Sequence, residues 1–299
     1  MSRLTAIYDL DHQPFSMGDM LVFLQGALVE QSRLGLDNIH VVISYNTESP
    51  TREPKLAHIN ARNVREHMLW LESTAAMCSQ VKTVTIEARK NKKGRQEEPV
   101  WPPGPPHYIT YNCLGTIADT VIKRGSFPRL TPRDDLRQWA SAFLEKYGQI
   151  TVNLRKTATN PSRDSDLRVW LEFFKKSRER FVIVCAPHEV IPEMRLGNLT
   201  FAKDYGSSAA QDCALVEGSR FHIGVSSGPT MLRWFSGRPL CEFRAERHVL
   251  ERFPGAFENG GRWRFTFASQ WQSAVFSKEN VANIETELER MKQCAPEPA

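Results

Sequence analysis

Apolar residues fall into short runs separated by stretches of helical period. Leu4–Tyr8 has the length of a buried strand, and Ser16–Arg33 follows with Met17, Leu21, Leu24 and Leu28 on one helical face. Ile39–Tyr45 predicts a second strand, Val64–Met77 a helix and Val81–Glu87 a third strand. Strands and helices alternating in this way mark βαβ units and a parallel sheet. The alternation breaks over Arg89–His107, where the basic run RKNKKGR and the proline-rich VWPPGPPH cannot sit inside a regular element. Thr131-Pro132 predicts a helix start, with Thr as cap and Pro at the first helical position. Leu136, Trp139, Phe143 and Tyr147 mark the buried face of that helix, and Gly148 stops it.

A strand at Ile150–Leu154 begins at once, which places a domain boundary near Gly148 and divides the chain into 1–148 and 149–299. The second half repeats the logic: helix Asp166–Lys176, strand Phe181–Ala186, helix Ser207–Val216, strand Arg220–Val225 and helix Pro229–Phe235. A last helix after a Ser277 cap carries Val281, Ile284, Leu288 and Met291 on one face, which is free to pack back on the first domain. The expected fold class is α/β, with two Rossmann-like domains facing a cleft.

The most informative stretch is 212–243, DCALVEGSRFHIGVSSGPTMLRWFSGRPLCEF. A strand ends at Val225, the chain turns through Ser226, Ser227 and Gly228, and Pro229 opens a helix with Thr230 in its first turn. Glycine lets backbone approach a ligand closely, and the N–H groups of such a turn favour an anion. The carboxyl end of a parallel strand is also where open α/β sheets bind ligands. The same residues would serve as a plain strand-to-helix turn. A second piece strengthens the anion reading. The strand at Ile150–Leu154 delivers Asn153, Arg155 and Lys156 to the same kind of edge, ahead of the polar loop ATNPSRDSD. Arg can grip a diphosphate bidentately and Lys as a point charge. Asp212 and Glu217, on or just after the preceding helix, are carboxylates able to accept from a ribose, although surface helix charges are the commoner role.

Composition narrows the partners. The 299 residues suffice for two cores. Lys and Arg (39) exceed Asp and Glu (34) for a net charge of +5, which suits a phosphate-bearing ligand. Nucleic acid is not expected, because the basic run is short and lacks interleaved aromatics. Six cysteines, none in a C-x-x-C pair, argue against a disulfide framework or a zinc site and for a cytoplasmic location. No stretch approaches the roughly 18–20 apolar residues of a membrane span, so membrane contact is expected to be at most peripheral.

Residues 221–240, FHIGVSSGPTMLRWFSGRPL, are similar to the F-x-G-x-D-S-G-P-x-H motif of heptosyltransferases. Ser226 and Met231 stand where that motif has Asp and His. The VNLRK strand resembles the H-L-R-R strand of fucosyltransferases, where the arginine holds the nucleotide diphosphate. Met17-Gly18-Asp19-Met20-Leu21 resembles the Gly-Asp opening of the first heptosyltransferase helix, whose aspartate is the proposed base. The resemblance implies a GT-B glycosyltransferase with an N-terminal acceptor-side domain and a C-terminal nucleotide-sugar domain. It makes Asp19 the catalytic base, places Gly18 and His12 on the acceptor side, and puts Asn153, Arg155, Lys156, Ser226, Ser227, Gly228, Thr230, Asp212 and Glu217 around the donor. The nucleotide sugar is then a substrate rather than a cofactor, its acceptor a saccharide or other hydroxyl, and inverting transfer without a metal is expected. Asp19 also fits a capping role, because Ser16-x-x-Asp19 has the spacing of a capping box. Asp9-x-Asp11 resembles the metal-binding D-x-D of the other glycosyltransferase fold, but no nucleotide-binding half precedes it. His222, in an apolar strand, reads as a core histidine. A sugar-nucleotide epimerase and a silent nucleotide-binding module remain as alternatives.

Overall fold

The structure is a computed structural model, and it describes residues 2–46, 64–88, 99–104, 109–156, 164–245 and 256–294. The basic run and most of the loop after Lys156 lie outside these residues. Two compact units divide the chain, Met1–Arg133 and Asp134–Ala299.

The first unit runs β1 (Arg3–Asp9), α1 (Met17–Leu34), β2 (Asn38–Tyr45), α2 (Val64–Ala76), β3 (Val81–Ala88), β4 (Val100–Trp101) and α3 (Thr110–Arg124). Its sheet has the order β3-β2-β1-β4 and is parallel throughout. Helix α1 is buried along much of its length, from Met20 to Val29, because it packs against both α2 and α3. Gly26 permits the close approach: a Cβ there would lie 2.8 Å from the Cys113 Sγ on α3. The proline-rich stretch does hold a strand, contrary to expectation. Val100 and Trp101 pair with Thr5 and Ala6, and Pro102, which has no N–H to give, follows at once.

The second unit runs α4 (Asp134–Tyr147), β5 (Ile150–Asn153), α5 (Leu167–Lys176), β6 (Phe181–Val184), β7 (Leu199–Phe201), α6 (Ala209–Gly218), β8 (Phe221–Val225), α7 (Thr230–Ser236), β9 (Leu240–Phe243), β10 (Ala256–Asn259), β11 (Arg262–Phe265), β12 (Gln272–Val275) and α8 (Val281–Cys294). The sheet order is β10-β11-β12-β9-β8-β5-β6-β7, parallel from β12 to β7 and antiparallel at the β10-β11-β12 edge. From β5 the chain builds outward through β6 and β7, then returns to lay β8 on the other side of β5. The order therefore reverses between β5 and β8, and a crevice at their carboxyl ends is the ligand position of such sheets.

Two helix starts differ from expectation. Helix α4 starts at Asp134, not Thr131, because Pro132 bridges to Cys78 and the Thr131 hydroxyl meets the Ser79 hydroxyl at 2.8 Å. It buries Leu136, Ala140, Phe143 and Leu144 and packs on α6, so it falls within the compact unit that begins at Asp134. Ser277 does not cap α8. Asn280 and Asn283 cap it reciprocally, each side chain accepting the other's N–H at 2.9 and 2.7 Å. The Ile284, Leu288 and Met291 stripe of α8 lies in the second unit's own core, with α5, β8 and β9.

His222 is a core histidine. It is fully buried, with Nδ1 2.8 Å from the Thr151 hydroxyl, and burial, aided by nearby Arg233, pushes its pKa down to about 3. The unfolded chain, with the group at the ordinary 6.5, takes up the proton first as pH falls. Stability is thus whole above 6.5 and is lost as pH drops toward 3. At about pH 4.5 the loss should reach roughly 2–3 kcal/mol relative to neutral pH. Denaturant unfolding of the parent and of His222→Asn checks this: the variant should show a flatter acid limb, and equal limbs would exclude His222 as the cause.

Among the described residues no helix is long and apolar enough to cross a membrane, and no group of three or more His, Cys, Asp or Glu could hold a metal ion.

Candidate functional site

The site is built at the carboxyl edge of β8 and β5. All five residues of β8 are buried. At Gly224 the strand draws so close to β5 that a Cβ would lie 2.4 Å from the Asn153 carbonyl oxygen, and its φ of 153° lies where glycine is favoured. The chain then leaves the sheet through Ser226, Ser227 and Gly228. Pro229 takes the cap position of α7, with φ −57° and ψ −29°, one residue before the first helical position expected for it. At seven residues α7 is too short for a strong macrodipole, so any anion affinity rests on local donors. Thr230, wholly buried, ties the turn together: its hydroxyl donates to the Ser227 carbonyl at 2.7 Å and accepts the Ser227 N–H at 3.4 Å. Thr230 therefore shapes the turn. The Ser227 Oγ is buried without a hydrogen-bond partner among the described residues. A hydroxyl left so at a ligand edge is the group an anion oxygen would complete.

The β5 side is fixed by contacts that local sequence does not reveal. Asn153, at the strand end, is buried and donates from Nδ2 to the Val225 carbonyl at 3.5 Å. Arg155 exchanges bonds with Ser165, its N–H to the Ser165 Oγ at 3.0 Å and its carbonyl accepting the Ser165 N–H at 2.9 Å. The buried Glu189 carboxylate accepts the Lys156 N–H at 2.8 Å and the Ala186 N–H at 2.7 Å, locking the loops after β5 and β6 together. Asn153 pairs with Gly224, so Arg155 and Ser226 leave adjacent strands at the same edge, each two residues past that pair.

Two expected donor residues engage partners of their own. Asp212 is buried with Lys203 Nζ at 2.5 Å and the Ser207 hydroxyl at 2.7 Å, one on each carboxylate oxygen. Burial raises its pKa against the pull of Lys203, and the pair holds the segment after β7 to α6. Glu217 lies in the last turn of α6, at the amino end of β8, its carboxylate 3.9 Å from Arg238. Five strand residues, about 16 Å of rise, separate it from the Ser226 turn.

In the first unit, His12 lies in the turn after β1, its N–H bonded to the Asp9 carbonyl at 2.9 Å. Gly18 and Asp19 sit half-buried in the first turn of α1, which Ser16 caps by accepting the Asp19 N–H at 3.4 Å. Asp19 is close enough to Cys113 that its charge adds to burial in raising that thiol's pKa.

The sequence reading missed Glu189, Arg233 and Arg244. Arg233 is fully buried and makes six hydrogen bonds to five carbonyls: Val216, Glu217, Ser219, Arg220 and Pro239. Burial and Arg238 bring its pKa down to about 9, still above neutral, so the guanidinium is charged. Farther along the sheet, Arg262, Arg264 and Arg290 line a cavity of about 320 Å³. There the buried Glu287 accepts from Arg262 Nε at 2.7 Å and Arg290 Nε at 2.8 Å, an ion-pair network that fastens α8 to β11.

No protein-family model matches the chain, and no curated protein does. Solved structures do. The E. coli heptosyltransferase WaaC with ADP superposes with a TM-score of 0.50 at 13% identity, covering 97% of this chain and 99% of that one. E. coli ADP-heptose LPS heptosyltransferase II follows at 0.49 and 11%, covering 97% and 98%. A family 9 glycosyl transferase from Veillonella parvula gives 0.49 and 11%, covering 99% and 90%. At this identity the likeness to WaaC establishes the fold alone, which is of the GT-B type.

Proposed function

We propose that the chain is a glycosyltransferase that moves a sugar from a nucleotide-diphosphate donor to an acceptor hydroxyl, with inversion and without a divalent metal. The observation that supports it best is the buried Ser227 hydroxyl, partnerless among the described residues, at the same sheet edge as Arg155 and at the strand-order reversal. A departing diphosphate needs oriented donors and positive charge, and Arg155, Lys156 and the Ser226–Gly228 turn are of that kind. Asp19 is the assigned base. It takes the acceptor hydroxyl proton as that oxygen attacks the anomeric carbon, and the carbon–phosphate oxygen bond breaks on the opposite face. The electron pair leaves with the diphosphate, so one displacement inverts the centre.

Arg155→Ala should weaken ADP binding about ten- to a hundredfold, the worth of a charge-assisted contact, and leave adenosine binding unchanged. ADP is the first nucleotide to assay because the WaaC structure carries it. Calorimetry with and without EDTA provides the measurement, alongside sugar release and transfer. Equal loss of both ligands would make Arg155 a fold residue, and strict need for magnesium or manganese would exclude the metal-free reaction. Ser226 and Met231, in place of the motif's Asp and His, favour a second reading, a module that binds nucleotide and transfers nothing. Binding without turnover over a panel of nucleotide sugars and acceptors would support it.

A further inference from the structure

The edge that carries Arg155 and Ser226 holds a second arginine. Val225 pairs with Phe243 at the end of the β8–β9 ladder, so Arg244 leaves the sheet next to Ser226, one strand over on the side away from β5. Arg155, Ser226 and Arg244 thus leave three neighbouring strands, about 4.8 Å apart, at the same carboxyl edge and within two residues of the last ladder pairs. Arg244 is the described non-glycine residue with positive φ, at 59°, in the left-handed region that a side chain rarely adopts. Such a conformation persists only where surroundings fix it, and it gathers at ligand sites. Here the Arg244 N–H is held by the Ser277 carbonyl at 3.2 Å and its Nε by Glu279 Oε2 at 2.5 Å. The other oxygen of that fully buried carboxylate accepts the N–H of Asp166, the cap of α5, at 2.7 Å. A guanidinium with 12% exposure, braced on a buried carboxylate, costs strain and desolvation that a simple strand end does not require.

Resting on the glycosyltransferase reading of this edge, we propose that Arg244 is a further cation of the donor site, beside Arg155 and Lys156. With Arg155 it forms a two-sided clamp that selects a diphosphate over a monophosphate. Two phosphoryl groups spread their charge over a span that arginines on strands flanking the Ser227 hydroxyl can grip from both sides, whereas a single phosphoryl group engages one. Glu279 acts as a positioning residue that aims the guanidinium.

Inorganic pyrophosphate and phosphate serve as probes because they need no base or sugar. Removing Arg244 alone would strand a buried carboxylate, so the informative variant is Arg244→Gln with Glu279→Gln, compared with Glu279→Gln alone and with Arg155→Ala. In calorimetry the double variant should lose tenfold or more in pyrophosphate affinity with little change for phosphate, and Glu279→Gln alone, whose amide oxygen can still accept from Arg244 but without the charge, should lose clearly less than the double variant. If Arg155→Ala weakens pyrophosphate and the double variant, equally folded by circular dichroism, does not, the clamp is overturned while the donor site stands. If the parent protein binds neither pyrophosphate nor ADP, the donor site falls and the clamp with it.

Discussion

Asp19→Asn should cut sugar transfer by about a hundredfold or more, the usual size of a general base's contribution, in a protein that still folds and binds diphosphate. The substitution keeps size and shape in the first turn of α1, where Ser16 rather than Asp19 supplies the capping oxygen. Loss of a negative charge near the helix N-terminus should cost only about 0.3–1 kcal/mol. Transfer to a verified acceptor, measured beside thermal stability and ADP affinity, separates the roles. Near-normal turnover would reduce Asp19 to a helix-terminus charge and leave the base to another residue. A fall in turnover with a matching fall in stability would make it structural.

The largest effect on folding should come from Arg233→Met. The guanidinium satisfies carbonyls at the end of α6, at the start of β8 and in the turn before β9, and methionine fills much of the volume but offers no donor. Leaving several buried acceptors bare should cost about 3–5 kcal/mol in urea unfolding at neutral pH. Arg233→Lys, with a charge but no planar fork, should fall between. A loss below about 1 kcal/mol would mean that water replaces the guanidinium and that its carbonyl cage is dispensable.

The elements that were legible in the sequence share a physical cause. Strands β1, β2, β5, β6 and β8 are covered on both faces, so their apolar runs are nearly unbroken. Helix α5 announces itself through the Asp166 cap and a sharp apolar stripe ending in Trp170, Phe173 and Phe174. Helix α3 did not, because threonine, glycine and asparagine dilute its propensity and Ile109 at its cap offers no side-chain bond. Strand β4 is two residues among prolines, and the β10–β12 edge is made of four-residue strands too short to show a period. Thr131-Pro132 looked like a helix start because the local chemistry is right, but the bridge to Cys78 claims those residues first. At the site, the Ser226–Thr230 turn and Arg155 were readable because each follows directly from its own strand. Glu189 and Arg244 were not, since their partners, Lys156 and Glu279, are 33 and 35 residues away. Glu217 precedes β8 in the chain and so stands at its amino end, away from the Ser226 turn that follows the strand.

The position of α4 bears on where the chain can be cut. Counting from the strand pattern, a donor half would begin at Gln149, just after the glycine that ends the helix. Yet α4 lays Ala140, Phe143 and Leu144 into the second unit, with Phe143 against Tyr205 at 5.5 Å between ring centres. A fragment starting at Gln149 would present that face of α6 and its neighbours to water as an exposed apolar patch, an invitation to self-association. A fragment starting near Arg133 takes the helix along, so the segment that looks like the tail of one domain is the cover of the next.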